Sequence, residues 1–445
     1  MSRYHAGSSI IGALPPMHTL ADLRSGKLAG VTRLTLKDGL STFPEEIFSL
    51  ADSLEVLDLS GNQLTELPAD LHRLKHLKVL FCSNNPFTRL PECLGQCEAL
   101  FFVGFKACQI VEVPASALPP NVRSLVLTDN RIETLPDAIG GCAQLQKLML
   151  AGNRLRQLPE SLAGCQRLEL LRIAVNQLHE LPRWLLEMPA LAWLAFAGNP
   201  LNDIHTEAPV RQIPWQQLTL QQVLGEGASG VIQQAVWRAD DVTPAIDVAV
   251  KLYKGDVTSD GSPLNEMQAC IAAGRHAHLI PVLGQIEDHP QAVRGLVLEL
   301  IAPSFMTLAR PPTLESCTRD TYGGTQLSLS SVTRMAAGIA AACGHLHARG
   351  INHGDLYAHN ILWNEHGDTL LGDFGAAAFY PDVETSLRLE RIEVRAFGIL
   401  LRELLDCCEA SDPHTARLQQ LAQRCVQADA MQRPGFAEIE RQLDA

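Results

Sequence analysis

The sequence predicts a multidomain protein, with an α/β solenoid of short repeats in its first half and a mixed α+β domain in its second. Leucine-like residues recur with a period of 22 or 23 residues up to position 191. The period stops at 202–217, which contains Pro209 and Pro214. Glycine, lysine and carboxylate motifs then follow along the remaining chain. With 445 residues, the chain also exceeds the size of one ordinary core.

The first half contains about eight repeats. The pattern L-x-x-L-x-L opens at Val31, Leu54, Leu77, Leu100, Val122, Leu145, Leu168 and Leu191. Asparagine recurs in phase at Asn62, Asn85, Asn130, Asn153, Asn176 and Asn199, and proline recurs at Pro44, Pro68, Pro91, Pro114, Pro136, Pro159 and Pro182. Each pattern predicts a short strand with alternate leucines on one side. The asparagine amide is placed to bond buried backbone groups. A chance leucine-rich helical region would not keep this phase, which matches the leucine-rich repeat.

These patterns set the domain boundaries. We expect an N-terminal cap at 1–30, a leucine-rich repeat solenoid at 31–201, a linker at 202–217 and a second domain at 218–445. No repeat covers its own apolar face, so stacking must bury a continuous core.

Composition restricts the possible functions. The net charge of −13 argues against general affinity for nucleic acids or anionic membranes. Three of the twelve cysteines each lie three residues before a repeat leucine; they are Cys97, Cys142 and Cys165. Their position predicts reduced thiols packed in the core. No stretch approaches the ~18 apolar residues of a membrane span, and the N-terminus lacks a signal-like apolar core. We expect a cytoplasmic protein without membrane insertion, although export by a route that needs no signal stays open.

A glycine motif opens the second domain with the sequence Gly225-Glu226-Gly227-Ala228-Ser229-Gly230-Val231. Glycines allow backbone N–H groups to approach phosphate oxygens. Dinucleotide-binding folds use the same spacing, but they need a helix directly after the glycines. The β-prone residues from Val231 to Trp237 instead predict a strand, and therefore a strand–turn–strand loop over phosphates.

A lysine and a glutamate follow the glycine motif. Val248-Ala249-Val250-Lys251 is an alternating apolar strand that ends in a cation. Glu266 lies on a predicted helix from Pro263 to Ala273 and is the best partner for Lys251. A lone lysine at a strand end would usually be solvated.

Two acidic motifs complete the set. Asp355 and Asn360 lie in His353-Gly354-Asp355-Leu356-Tyr357-Ala358-His359-Asn360, after a helix predicted at 329–349, and Asp373 begins Asp373-Phe374-Gly375. One carboxylate to orient a hydroxyl and two oxygen ligands for Mg²⁺ are typical of phosphoryl transfer. The four motifs, in this order, resemble the protein kinase family.

The resemblance implies a bilobal domain that uses ATP and Mg²⁺. Lys251, held by Glu266, would position phosphates, Asp355 would act as the catalytic base, and Asn360 and Asp373 would bind the metal. The nucleotide would contact the glycine motif, Ala249, Lys251, Leu362 and, in the strand predicted at 295–301, backbone groups near Glu299 and Ile301. Leu298 would lie at the back of the pocket.

The sequence departs from the family at four points. Gly354 replaces the arginine that usually holds a phosphorylated activation loop, and Tyr357 replaces the lysine of serine/threonine kinases. Glu393 replaces the aspartate that anchors the catalytic loop, and no A-P-E motif appears. Two alternatives stay open: a pseudokinase scaffold that binds nucleotide without efficient transfer, and a small-molecule kinase of the aminoglycoside-phosphotransferase type.

The resemblance implies an ATP-dependent protein kinase that transfers the γ-phosphoryl group to a protein hydroxyl, with serine or threonine favoured over tyrosine. We expect the concave face of the repeats to recruit a protein partner or substrate. The sequence indicates no oligomeric state.

Overall fold

The computed structural model describes residues 18–202, 209–240, 242–255, 257–408 and 413–444. The predicted cap and linker therefore lie partly outside the described residues. By their contacts, the residues form two compact units. The repeat unit comprises residues up to Leu191 together with Asn199–Leu201, whereas Ala192–Gly198 belongs with the chain from 202 onward. The periodic sequence had grouped Ala192–Gly198 with the repeats.

Each repeat contributes one short strand. Strands β1 to β7 pair in parallel and in chain order. Their central leucines or valines are fully or almost fully buried. The helices of this region are α1 (Leu20–Arg24) and α2 (Arg183–Leu186). The strands are β1 (Arg33–Thr35), β2 (Val56–Asp58), β3 (Val79–Phe81), β4 (Phe102–Gly104), β5 (Ser124–Val126), β6 (Lys147–Met149), β7 (Leu170–Arg172) and β8 (Trp193–Ala195).

The in-phase asparagines form a ladder of buried amides. Asn153 Nδ2 donates to the carbonyls of Leu127 and Leu150, each at 2.9 Å, and its Oδ1 accepts from the N–H of Ile132 at 3.0 Å. Each amide thus satisfies backbone groups in two successive turns of the solenoid. In the repeat that lacks asparagine, the Cys108 thiol lies 3.5 Å from the carbonyl of Cys82 as a weaker donor.

The prolines mark where the return path begins. Five of them directly precede a 3₁₀ helix, because a proline needs no N–H bond at that position. These 3₁₀ helices are Glu45–Leu50, Glu92–Gln96, Ala115–Ala117, Asp137–Gly141 and Glu160–Gly164.

The second unit begins with a six-stranded sheet in the order β10-β11-β12-β14-β13-β9. Its strands are β9 (Gln212–Pro214), β10 (Leu218–Glu226), β11 (Gly230–Trp237), β12 (Ile246–Tyr253), β13 (Val282–Glu287) and β14 (Gly295–Glu299). Helix α3 (Pro263–Ala273) has the predicted bounds. Strand β14 ends two residues before the predicted Ile301, so Ile301 lies outside the sheet.

The rest of this unit is mainly helical. Its strands are β15 (Met306–Thr307), β16 (Ile351–Asn352), β17 (Ile361–Trp363), β18 (Thr369–Leu371) and β19 (Ala378–Phe379). Its helices are α4 (Leu329–His347), α5 (Val383–Asp406), α6 (Pro413–Cys425) and α7 (Phe436–Leu443). Helix α4 stops two residues before its predicted end, since the chain turns at Gly350, where φ is +71°. Within the described ranges, no helix has both the length and the apolarity to cross a bilayer.

Candidate active site

Lys251 and Glu266 form a buried ion pair. Lys251 ends the apolar alternation of β12, and Glu266 lies in the first turn of α3, where Ser262 caps the helix. Lys251 Nζ bonds Glu266 Oε1, and the two residues are 8% and 1% exposed. Burial opposes the charge on Lys251, but attraction to Glu266 and Asp373 keeps the pKa of the ammonium above its ordinary value. The predicted pair therefore provides a fixed cation inside a cleft.

Asn360 holds the side chain of Asp355. The Asn360 Nδ2 group donates to Asp355 Oδ2 at 2.8 Å and to the Asp355 carbonyl at 3.0 Å. A short 3₁₀ helix, Ala358–Asn360, folds the chain back so that residues five apart meet. This contact fixes the orientation of the carboxylate proposed to act as base.

Asp373 closes a tight turn at the cleft. Its backbone has φ of +53°, and its Oδ1 accepts from the N–H of Gly375 at 3.1 Å. Positive φ in a residue other than glycine is uncommon and often occurs at functional sites. Burial and the nearby Glu266 raise the pKa of Asp373 to about 6, although Lys251 opposes this rise. A bound cation would favour the ionised form.

Glu393 of α5 anchors the backbone of the catalytic loop. Its carboxylate accepts from the N–H of Gly354 at 2.8 Å and of His353 at 3.3 Å. His347 Nε2 lies 2.8 Å from the same carboxylate. Burial alone would raise the pKa of Glu393, but these neighbours lower it below its ordinary value. Glutamate therefore makes the contacts that the resemblance assigns to the family's aspartate.

The residue two positions after Asp355 is buried in an aromatic stack. Tyr357 is 4% exposed, and its ring lies 4.2 Å from that of Trp193, with an angle of 8° between the planes. Both residues belong to the same compact unit. Tyr357 is therefore a packing residue and supplies no cation at this position.

The structure brings seven of the sixteen predicted site residues to the lining of one cleft. Its lining includes Ala249, Lys251, Glu266, Glu299, Asn360, Leu362 and Asp373, together with Leu298. Asp355 is joined to the cleft through Asn360. Besides Asp355, the predicted residues outside the lining are Gly225, Glu226, Gly227, Ala228, Ser229, Gly230, Val231 and Ile301.

The glycine motif is the turn of a hairpin between β10 and β11. Lys254 Nζ pairs with Glu226 at 2.8 Å and donates to the Gly227 carbonyl at 3.1 Å, so the turn is tied to the end of the sheet. A Cβ at Gly230 would lie 2.5 Å from the carbonyl oxygen of Leu252. Glycine at 230 is thus required by strand packing, and the phosphate contacts of this motif stay a prediction.

The N–H of Glu299 donates to the carbonyl of Pro281 at 3.0 Å. That donor is therefore engaged within the protein. Nucleotide binding through Glu299 would instead use its carbonyl or groups after it.

Sequence motifs missed several residues of the cleft. Tyr253 lies beside Lys251, whose Nζ is 5.1 Å from the ring centre. His359 also lines the cleft, and its Nδ1 lies 2.7 Å from Asp320 Oδ1. Burial disfavours the charged imidazole of His359, but Asp320 raises its pKa above the ordinary value overall. The position of His359 beside Asn360 was the available signal; Asp320 belongs to no motif.

The donor set fits a divalent cation. Asn360 Oδ1 is buried and accepts no hydrogen bond from any described residue, although the Nδ2 of the same amide is engaged. Asp373 contributes a carboxylate to the same cleft. An amide oxygen and a carboxylate are ligands typical of Mg²⁺, which usually takes few protein groups and keeps several waters.

Comparisons with known proteins agree with this geometry. Residues 218–394 match the family model described as protein tyrosine and serine/threonine kinase, and residues 52–93 match the model for leucine-rich repeats. "CBL-interacting protein kinase 22" of Oryza sativa subsp. japonica is 30% identical over 169 residues, which cover 36% of this chain and 36% of that protein. "Tyrosine-protein kinase receptor TYRO3" of Mus musculus is 28% identical over 165 residues, which cover 37% of this chain and 18% of the receptor.

A probable receptor-like protein kinase of Arabidopsis thaliana is 27% identical over 223 residues, which cover 44% of this chain and 24% of that protein. The chain thus spans about a third or less of the length of these curated relatives. The region 218–394, matched by the kinase family model, contains five of the six strands of the sheet, the ion pair, the catalytic loop and Asp373. The chain therefore carries a protein kinase domain, preceded by leucine-rich repeats.

Proposed function

We propose that the protein is an ATP-dependent protein kinase that uses Mg²⁺ and transfers the γ-phosphoryl group to serine or threonine. One observation carries the proposal. Asn360 orients Asp355 through its amide nitrogen, while its buried amide oxygen accepts no hydrogen bond from the described residues. A purely structural asparagine in this position would normally satisfy both ends of its amide.

Each group has a distinct part in the proposed reaction. Lys251, kept charged by Glu266, binds the phosphates of ATP. Asp355 orients the acceptor hydroxyl and receives its proton as the oxygen bonds to the γ-phosphorus and the bond to ADP breaks. Mg²⁺, held by Asn360 and Asp373, would supply positive charge against the phosphate oxygens. Positioning and electrostatic stabilisation therefore account for most of the expected catalysis.

The preference for serine or threonine comes from the sequence resemblance and is the part of the proposal that phosphoamino-acid analysis tests. The matching family model covers both tyrosine and serine/threonine kinases, and one relative is a tyrosine kinase by name, so similarity does not decide the acceptor.

Labelled phosphate transfer tests the proposal. The full chain, incubated with γ-labelled ATP, Mg²⁺ and lysate proteins, should yield phosphoserine or phosphothreonine after hydrolysis. Asp373→Ala should abolish transfer. Nucleotide binding without transfer would instead indicate a pseudokinase, and ATP turnover stimulated only by small hydroxylated acceptors would indicate a small-molecule kinase.

We further propose that the strand face of the repeats recruits the protein substrate. The residues beside each core leucine alternate away from the core, and Val56, Phe81 and Val126 are partly exposed on that face. Phe81→Glu should lower phosphorylation of lysate substrates at least about fivefold, the size of a typical interface contact. It should leave transfer to a short peptide unchanged.

His72→Glu is the matched control for this experiment. His72 is exposed on the 3₁₀ helix Leu71–Arg73 of the return path, and its substitution should change neither reaction. Equal phosphorylation of lysate substrates by the wild type and Phe81→Glu would refute recruitment through this face.

We propose an intracellular site of action. All twelve cysteines are free thiols, and burial raises the pKa of most of them, which favours the reduced neutral form. Stable free thiols are typical of a reducing compartment. Fractionation of cells that produce the full chain tests the location, and recovery outside the cell would refute it.

A further inference from the structure

We infer that residues Ala192–Gly198, here called the loop strap, position the catalytic loop, with Trp193 as the main positioning residue. This inference rests on the proposed kinase function and adds how the loop is kept in its active geometry. The loop strap contains β8 and belongs, by its contacts, to the same compact unit as the kinase domain. Trp193 is 1% exposed, so its indole is part of the core of this unit.

Two hydrogen bonds between the loop strap and the chain around Asp355 bracket this aspartate. Trp193 Nε1 donates to the carbonyl of Leu356 at 3.0 Å, one residue after Asp355. On the other side, Asn352 Nδ2 donates to the carbonyl of Leu194 at 3.2 Å. Both contacts are buried, so water does not replace them readily. The backbone that carries Asp355 is therefore tied to the loop strap before and after the aspartate.

Aromatic packing fixes the same stretch of chain. The Tyr357 ring is stacked on the Trp193 ring at 4.2 Å, and the centre of the His359 ring lies 5.0 Å from that of Tyr357. The Arg319 guanidinium lies 5.5 Å from the Trp193 ring centre, within the range of a cation–π contact. Stacking therefore limits rotation of the Tyr357 side chain, which follows Asp355 by two residues. The loop strap thus contacts the backbone and a side chain of the catalytic loop.

The loop strap also explains the glycine found in place of the usual arginine. Gly354 has φ of +73°, and a Cβ there would lie 2.6 Å from the Leu194 carbonyl oxygen and 2.7 Å from that of Ala376. No other residue fits without displacing the backbone. The carbonyl of Leu194 occupies space into which a side chain at 354 would project.

The activation segment, between Gly375 and α5, is short. Only residues 376–382 separate Gly375 from the start of α5 at Val383. The resemblance implies that an arginine at 354 would hold a phosphorylated activation loop. In this chain, an internal segment supports the catalytic loop instead. Its activity should therefore not depend on phosphorylation of the activation segment.

Two substitutions at Trp193 in the full chain separate its hydrogen bond to Leu356 from its stacking on Tyr357. Trp193→Phe keeps a ring against Tyr357 but removes the N–H donor, whereas Trp193→Ala removes both. Trp237→Phe is the matched control, because Trp237 Nε1 also donates one hydrogen bond, to Gln217 Oε1 at 3.0 Å, but lies in the six-stranded sheet.

Amide hydrogen exchange and steady-state kinetics provide independent measurements. Trp193→Ala should speed exchange in peptides that cover 351–358 and lower kcat at least about tenfold, equivalent to ~1.4 kcal/mol. The KM for ATP should stay within about threefold, since Lys251 and Asp373 are not contacted by Trp193. Trp193→Phe should give a smaller effect in the same direction. Trp237→Phe should leave exchange at 351–358 unchanged.

Unchanged exchange at 351–358 in both Trp193 variants would overturn the inference. A rise in kcat would also overturn it, because the loop strap would then be inhibitory. If Trp193→Ala does not fold, Trp193→Phe decides by the same measurements. If the wild type transfers no phosphate while exchange responds as expected, the proposed function fails and the positioning role stands.

Discussion

Asn360 provides the sharpest test of the candidate site, because one side chain has two separable contacts. Asn360→Ala removes the hydrogen bonds to the Asp355 carboxylate and carbonyl, at 2.8 and 3.0 Å. A bond to a charged group contributes about 1.5–3 kcal/mol and a neutral one about 1 kcal/mol. Loss of about 3 kcal/mol in the transition state corresponds to a decrease in kcat of roughly a hundredfold.

The same substitution removes the buried amide oxygen assigned to the metal. The Mg²⁺ concentration for half-maximal activity should rise at least about tenfold, a loss typical even of residues that only support a metal ligand. Asn360→Asp keeps an oxygen at this position but loses the donor and faces Asp355 with a second carboxylate. It should lower kcat as strongly as Asn360→Ala while retaining the affinity for Mg²⁺. A titration of Mg²⁺ at saturating ATP measures both quantities.

Asn364→Ala is the matched control on the same segment. The Asn364 amide caps the turn before β18, where its Oδ1 accepts from the N–H groups of His366 and Asp368 at 3.0 Å each. Its loss should lower Tm without changing the Mg²⁺ requirement. If Asn360→Ala stays within about threefold of the wild type in kcat and in half-saturating Mg²⁺, the assignment of Asn360 is refuted.

Three further substitutions test the surrounding structure. Glu266→Gln leaves the Lys251 ammonium buried without its counterion, so calorimetry should show a loss of about 3 kcal/mol in stability. Titration with ATP should show weaker binding, and unchanged binding would contradict the role of the ion pair. Asn153→Ala removes three buried hydrogen bonds, so denaturant unfolding should show a decrease of about 3 kcal/mol in the unfolding free energy of the repeats. The control Asn121→Ala removes one exposed hydrogen bond and should lower the unfolding free energy by less than about 1 kcal/mol. Burial raises the pKa of Glu403 from 4.5 to about 8, so the folded protein holds a proton there that the unfolded chain releases. Stability should therefore fall as pH rises from about 5 to 8, by up to ~1.4 kcal/mol per unit, and Glu403→Gln should reduce that slope, while an equal slope in both proteins would contradict the assignment.

The repeats were predictable because their signal is local and periodic. Each L-x-x-L-x-L pattern fixes which residues face the core, and the in-phase asparagines fix where the backbone needs a partner. The return path was less predictable, since proline sets where it begins but not whether it forms a 3₁₀ or an α helix. Pro182 precedes a short α helix, whereas Pro159 precedes a 3₁₀ helix.

The ion pair and the catalytic loop were predictable for a different reason. Asp355 and Asn360 are five residues apart within one motif. Glu266 follows Lys251 by 15 residues, on the next predicted helix. Tyr253 lies two residues after Lys251, and His359 lies inside the motif that ends at Asn360, but neither residue type by itself predicts a place in the cleft.

The contacts between the loop strap and the catalytic loop could not be predicted from the sequence. Trp193 and Leu356 are 163 residues apart, and the repeat period assigns Trp193 to a strand like the other seven. The sequence marks Gly354 as a departure from the family pattern, but its positive φ and the nearby carbonyls of Ala376 and of Leu194, in a distant segment, appear only in the structure. A contact of this kind depends on tertiary packing, and no characteristic spacing of residues in the sequence indicates it.

The position of Trp193 has a consequence for how this architecture evolves. Genetic recombination that joined a different N-terminal domain at 202–217 would produce a kinase domain without the indole of Trp193, which supports its catalytic loop. A viable exchange must carry the final repeat strand with the enzyme. We therefore expect β8 to stay with the kinase domain when repeats are exchanged, and the preceding repeats to vary more among related chains.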